Sequence, residues 1–237
     1  MRLPLQIRLN RMPRPTGSLT LSRDQRRIAH MAASLLLEYP GAGFATRMPL
    51  IESSVAGLPG PIAADFRRFL DHARARSSTA LEQEYVATFD LKRKCCLYLS
   101  YYAAGDTRRR GTALVTFLEA YRAAGWEFDA DELPDFLPAV LEFSARSDSP
   151  IAAELIAAHR EGLEVLRAAL DRIDSPYAAV VTAVCRSLPE IDEATRERYL
   201  SLVNEGPPTE TVGLTFIGNL APYSPTGVTR THEEVRP

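Results

Sequence analysis

The chain has 237 residues, 46% of them hydrophobic and 24% charged, and 28 Lys and Arg against 30 Asp and Glu leave a net charge of −2. That balance excludes wholesale disorder, and it excludes bulk electrostatic attraction to nucleic acid or to an anionic membrane. Three cysteines, two of them the neighbours Cys95 and Cys96, cannot build a secreted-type disulfide framework, and no run reaches the roughly 18–20 apolar residues of a membrane span.

Residues 1–20 carry Arg2, Arg8, Arg11 and Arg14 among Pro4, Pro13 and Pro15. They lack the apolar stretch of a secretory signal and read as an irregular basic tail, so the expected setting is the cytoplasm. Ser22 can cap a helix in which Ile28, Met31, Ala32, Leu35, Leu36 and Tyr39 recur at three and four, and Pro40-Gly41 stops it. A second apolar stretch runs from Phe44 to Val55. Pro61 opens a third helix with Ile62, Phe66, Phe69 and Leu70 on one face. Thr79 and Glu82 fit a capping box before Leu81, Tyr85 and Phe89. Asp106 can cap a helix striped by Leu114, Phe117, Leu118 and Tyr121, and Gly125 ends it. Pro134 fits the first turn of a helix using Leu137, Val140 and Leu141. One long helix is expected from Ile151 to Ile173, another over Tyr177 to Leu188, and a last one over 192–204. Leu214 to Ile217 is a lone weak strand candidate. The expectation is an all-α fold, a single compact bundle of about eight or nine helices over 21–205, with irregular tails over 1–20 and 206–237.

Catalytic motifs are missing. The four histidines have no spacing that gathers metal ligands on one helix face, and Cys95-Cys96 lacks the two-residue spacer with which thiolates grip zinc, so no cofactor or metal is expected. Gly41-Ala42-Gly43-Phe44-Ala45-Thr46 follows a helix rather than a strand and has Thr46 at the third glycine, so it reads as a helix end with left-handed backbone, not a dinucleotide loop.

Two segments depart from a uniform surface. Residues 92–110 hold Lys92, Arg93, Lys94, Arg108, Arg109 and Arg110 against Asp106; residues 115–142 hold seven carboxylates, Glu119 and Asp135 among them, against Arg122. The basic residues either pair with that acidic segment or meet a partner. Nucleic acid is not the expected partner, because aromatic and basic residues do not interleave. Tyr85, Phe89, Tyr98, Tyr101 and Tyr102 lie close by. At helical spacing such rings usually form core, yet Tyr98 to Tyr102 puts phenols on several sides of a helix, so some line a cleft. The expected cleft is bordered by Tyr85, Phe89, Tyr98, Tyr101 and Leu114, with Glu119 and Asp135 at its rim, and suits a basic amphipathic peptide.

Four runs carry a resemblance: Leu36 to Pro40, Tyr85 to Asp90 followed by Leu97 to Leu99, Gly105 to Leu114, and Glu132 to Pro138 leading into Leu141-Glu142-Phe143. In this order, across roughly residues 28–145, they resemble the nitrate reductase molybdenum cofactor assembly chaperones, the NarJ family. The resemblance implies an all-helical chaperone and no enzyme. Its partner would be the apo catalytic subunit of respiratory nitrate reductase, bound partly through that subunit's N-terminal segment and held competent for cofactor insertion and membrane attachment. On the matching motifs, Asp90, Asp106 and Arg110 join the client-binding set. The family typically has a His where this chain has Phe136, and its members have a shorter segment before the residue matching Ser22. A chaperone for a different molybdoenzyme and, from another class, a helical carboxylate-based enzyme are the alternatives. The residues leave open whether the chain forms a homodimer.

Overall fold

The computed structural model describes residues 15–190 apart from Asp106 and Ala130. Ten α-helices lie among the described residues: α1 Arg23–Leu37, α2 Phe44–Val55, α3 Gly60–Arg74, α4 Ser78–Tyr85, α5 Ser100–Ala104, α6 Arg109–Ala123, α7 Leu137–Arg146, α8 Pro150–Ala158, α9 Arg160–Arg172 and α10 Tyr177–Ser187. Among those residues β-structure amounts to one isolated antiparallel bridge, Tyr98 to Phe136. The all-α expectation holds. The segments 1–14 and 191–237, which include the expected helix over 192–204, the strand candidate and most of both tails, lie outside the described residues.

The core is built around α10. Ala178, Ala179, Val180, Val181, Ala183, Val184 and Cys185 are all buried, so this helix is apolar all round and is enclosed by α1, α3 and α9. Against it α1 presents Ala29, Ala33, Leu36 and Leu37, and α7 covers the adjoining face of α1. His30 is fully buried where these helices meet, its two ring nitrogens 2.9 Å from Ser144 on α7 and 2.9 Å from Ser187 on α10.

Several local expectations are met and others corrected. Ser22 caps α1 in a reciprocal box with Gln25, and Pro61 sits in the first turn of α3. Gly43 opens α2 at φ 86°, the left-handed backbone expected of that glycine pair. The cap of α4 is Ser77, whose hydroxyl accepts from Ala80 N–H at 3.2 Å; Thr79 lies inside the helix, because the chain enters two residues earlier. At α6 the cap position is Arg108, with no side-chain cap, and Asp106 lies outside the described residues. Pro134 precedes α7, whose first turn holds Pro138 instead. The expected long helix divides at His159 into α8 and α9. Its ring nitrogen bonds Leu155 O at 2.8 Å and its ring stacks on Phe117 at 4.7 Å. That division, with the short α5, brings the helix number above eight or nine.

Candidate functional site

The site begins with a change of helical pitch. At Tyr85, α4 passes into a π-helical turn, Val86–Asp90, closed by Leu91 N–H on Val86 O at 3.1 Å. Wide turns of this kind recur at functional sites. The turn keeps Phe89 beside Tyr85, with ring centroids 4.8 Å apart, and both rings rest on Tyr177 of the core. The Tyr85 hydroxyl donates to Leu37 O at 3.2 Å, so the end of α1 is tied to the end of α4. Glu38 and Tyr39 follow immediately, and Tyr39 stands edge-on to Tyr85 at 5.5 Å.

The opposite wall is the bridge between residues 97–99 and 135–137. Leu137 N–H donates to Leu97 O at 2.8 Å and Leu99 N–H to Asp135 O at 3.0 Å, which sets Tyr98 and Phe136 side by side at 5.5 Å. Asp135 secures the arrangement from inside, accepting from Ser100 N–H at 3.0 Å and from the Ser100 hydroxyl at 2.5 Å.

Together these segments enclose a cleft of about 320 Å³. Its walls are Tyr39, Tyr85, Phe89, Tyr98 and Phe136, and its charged groups are Glu38, Asp90 and Glu132. Among the described residues the lining includes no Lys, Arg or His. Glu132 accepts from the Tyr98 hydroxyl at 2.8 Å. Burial and then the neighbouring carboxylates Asp90, Glu132 and Glu38 raise the Tyr85 phenol; burial and the Glu132 bond raise that of Tyr98. Both phenols therefore remain neutral donors. Chemically the cleft favours a cation flanked by apolar groups, since aromatic faces and carboxylates attract the same ion.

Of the candidate residues, Tyr85, Phe89, Asp90 and Tyr98 come together in this cleft. Arg110 lies next to it, its guanidinium 5.4 Å from the centre of the Tyr98 ring and its Nε donating to Ser100 at 3.3 Å. Tyr101 does not line it: the ring is buried and its hydroxyl accepts from Arg93 at 2.8 Å. Leu114 and Glu119 are on α6, half-buried and exposed, and neither lines the cleft. Asp135 is no rim residue, because it is wholly buried as the acceptor for Ser100. The rim falls instead to Glu38 and Glu132, with Tyr39 and Phe136 as the unforeseen walls. All four lie in the Leu36–Pro40 and Glu132–Pro138 runs singled out in the sequence. What sequence could not show was that α1 ends against α4. Among the described residues there is no cluster of His, Cys, Asp and Glu able to hold a metal ion, and no helix long and apolar enough to cross a membrane.

Comparisons with known proteins bear on the family and the fold. Over 166 residues the chain is 36% identical to the nitrate reductase-like protein NarX of Mycobacterium tuberculosis, matching 70% of this chain; it spans about a quarter of that relative's length (25%). It is 28% identical over 172 residues to NarJ of Bacillus subtilis, covering 72% of this chain and 94% of that protein. It is 31% identical over 150 residues to the nitrate reductase molybdenum cofactor assembly chaperone NarJ of Escherichia coli, covering 62% and 64%. In fold it is similar to a solved Archaeoglobus fulgidus protein designated a candidate redox enzyme maturation protein, with a TM-score of 0.50 at 20% identity over 70% of this chain and 93% of that one. The nitrate reductase delta subunit model matches residues 56–183, more than half of the chain, and the chain belongs to that family.

Proposed function

We propose that this chain is an assembly chaperone, not an enzyme, which binds the apo catalytic subunit of respiratory nitrate reductase through that subunit's N-terminal segment. By holding the segment it keeps the client competent for molybdenum cofactor insertion and membrane attachment, in the cytoplasm. The observation that carries the reading is the cleft: five aromatic rings around three carboxylates, with no cationic side chain in the described lining. Such a recess takes a basic residue and an apolar neighbour from an otherwise disordered peptide. The names of the Bacillus subtilis and Escherichia coli relatives supply the client. Ordering the peptide offsets much of the contact energy, which suits a chaperone that must let go when the client folds. The described lining of the cleft comes from a single chain.

The test is calorimetry and stopped-flow binding of the full chain with the client's N-terminal peptide. Tyr98→Ala removes an aromatic wall and should speed dissociation, costing about 1–3 kcal/mol. Glu132→Lys should slow association and weaken its salt dependence, because rim charges act chiefly on encounter. Variants that stay folded and bind like the parent would place the peptide elsewhere. The same titration with the corresponding peptide of a different molybdoenzyme decides which client is preferred.

A further inference from the structure

A second recess lies between α1 and α2, and its chemistry is the reverse of the cleft's. It is a groove of about 390 Å³ whose floor is the Ile28, Met31, Ala32 and Leu35 stripe of α1 with Leu50 and Ile51 of α2. The stripe recurs at i, i+3, i+4 and i+7, so one whole face of α1 is offered to the groove while Ala29, Ala33, Leu36 and Leu37 face the core. Leu50 is 69% exposed and Ile28 37%. Single exposed aliphatic residues are ordinary; two that border one continuous apolar recess are not.

Three arginines from three helices border it, Arg27, Arg47 and Arg146, and the described lining holds no carboxylate. Each guanidinium already has a protein partner. Arg27 Nε donates to Ala145 O at 2.7 Å, and its Nη1 lies 3.4 Å from an Asp148 carboxylate oxygen. Arg146 donates to Glu142 at 2.6 Å and lies 5.2 Å over the Trp126 ring. Arg47 donates to Glu38 at 3.3 Å. A guanidinium has five N–H donors in a fixed fork, so these contacts hold the groups in place without exhausting them.

We propose that this groove docks an amphipathic helical segment of a partner protein whose apolar stripe is flanked by carboxylates. Charge complementarity selects that occupant. A second copy related by a two-fold axis would bring the same three arginines against themselves, and a flat anionic bilayer does not reach the buried part of the floor, Ala32 and Ile51. The proposal goes beyond the client reading and does not need it, since it concerns a different surface and the opposite charge. The Glu38–Arg47 pair nevertheless joins the two sites, because Glu38 is a wall of the cleft and Arg47 a rim of the groove. A carboxylate entering the groove competes with Glu38 for Arg47.

The probe is a fluorescein-labelled synthetic helix with leucines at i, i+3, i+4 and i+7 flanked by glutamates, titrated against the full chain by anisotropy. Binding that weakens with salt is expected. Leu50→Asp and Arg47→Glu, both at exposed or half-exposed positions, should each weaken it about tenfold or more, with thermal melts confirming the fold. Glu38→Gln should tighten it, because Arg47 loses its internal competitor. No binding by the parent, or parent-like binding by both Leu50→Asp and Arg47→Glu, overturns the proposal. So does a dimer in sedimentation that Leu50→Asp converts to monomer, which gives the groove to a second copy. Leu50-dependent flotation with anionic vesicles in place of peptide binding also overturns it.

Discussion

His30 shows how far a single residue can depart from its ordinary chemistry when helices close around it. Burial, and secondarily the charge of Arg26, lower its pKa from 6.5 to about 3, so the folded protein keeps a neutral imidazole between Ser144 and Ser187. An unfolded chain protonates the same ring near its ordinary value. Between the two values the unfolded state binds the extra proton, and stability must fall as pH is lowered through that window. The contribution is complete above the unfolded value and declines by at most about 1.4 kcal/mol per pH unit below it. Urea midpoints at pH 7, 6 and 5 should show this fall, and His30→Gln should flatten it. The readout is the difference between parent and variant. His159 is shifted the same way by burial, and Asp65, raised by burial, acts in the opposite sense in both proteins. Equal slopes in parent and variant would remove His30 from the acid response.

At the scale of elements, the cleft depends on how α5 and α9 are pressed together. Gly162 lies on α9 where a Cβ would fall 2.9 Å from the Cβ of Tyr102, closer than real side chains approach. Tyr102 cannot turn aside, for its ring is buried and its hydroxyl donates to Cys96 O at 2.7 Å. On an exposed helix Gly→Ala gains up to about 1 kcal/mol. Here Gly162→Ala should instead lose about 1–3 kcal/mol, since overpacking outweighs propensity. Denaturant midpoints decide it, and a midpoint at or above the parent's would mean that α5 can move. The same displacement would disturb Cys96 and Leu97, which line the cleft, so peptide affinity should drop with stability.

Across the whole molecule, one buried ionic cluster gathers distant parts of the chain. Glu164 of α9 is fully buried and accepts from Thr16 N–H at 2.8 Å and from Arg167 Nε at 2.8 Å. Arg160 donates to the Ser18 hydroxyl at 2.7 Å, to Thr16 O at 2.5 Å, to Leu188 O at 2.6 Å and also to Pro189 O. Residues 16–18, placed by composition in an irregular tail, are thus fastened to the end of α10. Arg160 also reaches Glu164, at 3.5 Å, and Arg167 is held by Asp171 at 2.6 Å as well. Removing Glu164 takes the buried counter-charge from Arg160 and the acceptor from the Thr16 amide, and Glu164→Ala should cost about 3–5 kcal/mol. Urea unfolding measures the loss, and hydrogen exchange at the Thr16 amide should accelerate beyond what global destabilisation alone produces. A loss under about 1 kcal/mol would mean that water or another carboxylate replaces Glu164.

Sequence alone determined the helical class and most helix positions, because apolar recurrence at three and four residues is a local property, and the family came from the resemblance carried by four short runs between Leu36 and Phe143. Caps such as Ser22 and punctuation such as Pro40, Gly43 and Pro61 are local as well. Sequence also led to the expectation of an aromatic and acidic cleft near residues 85–98, where the structure has a recess lined by such residues. Tertiary structure decided which residues form it. Tyr101 and Asp135 carry the same chemistry as Tyr98 and Glu132, and only burial separates them: inside the fold the Tyr101 hydroxyl accepts from Arg93 and Asp135 Oδ2 accepts from Ser100. Glu38 and Tyr39 are more than forty residues from Tyr85 in the chain and reach the cleft only because the Tyr85 hydroxyl bonds the last turn of α1. The break at His159 likewise follows from its contacts with Leu155 and Phe117 rather than from any helix-stopping residue. Burial and long-range pairing are properties of the packed chain, and periodicity carries no record of them.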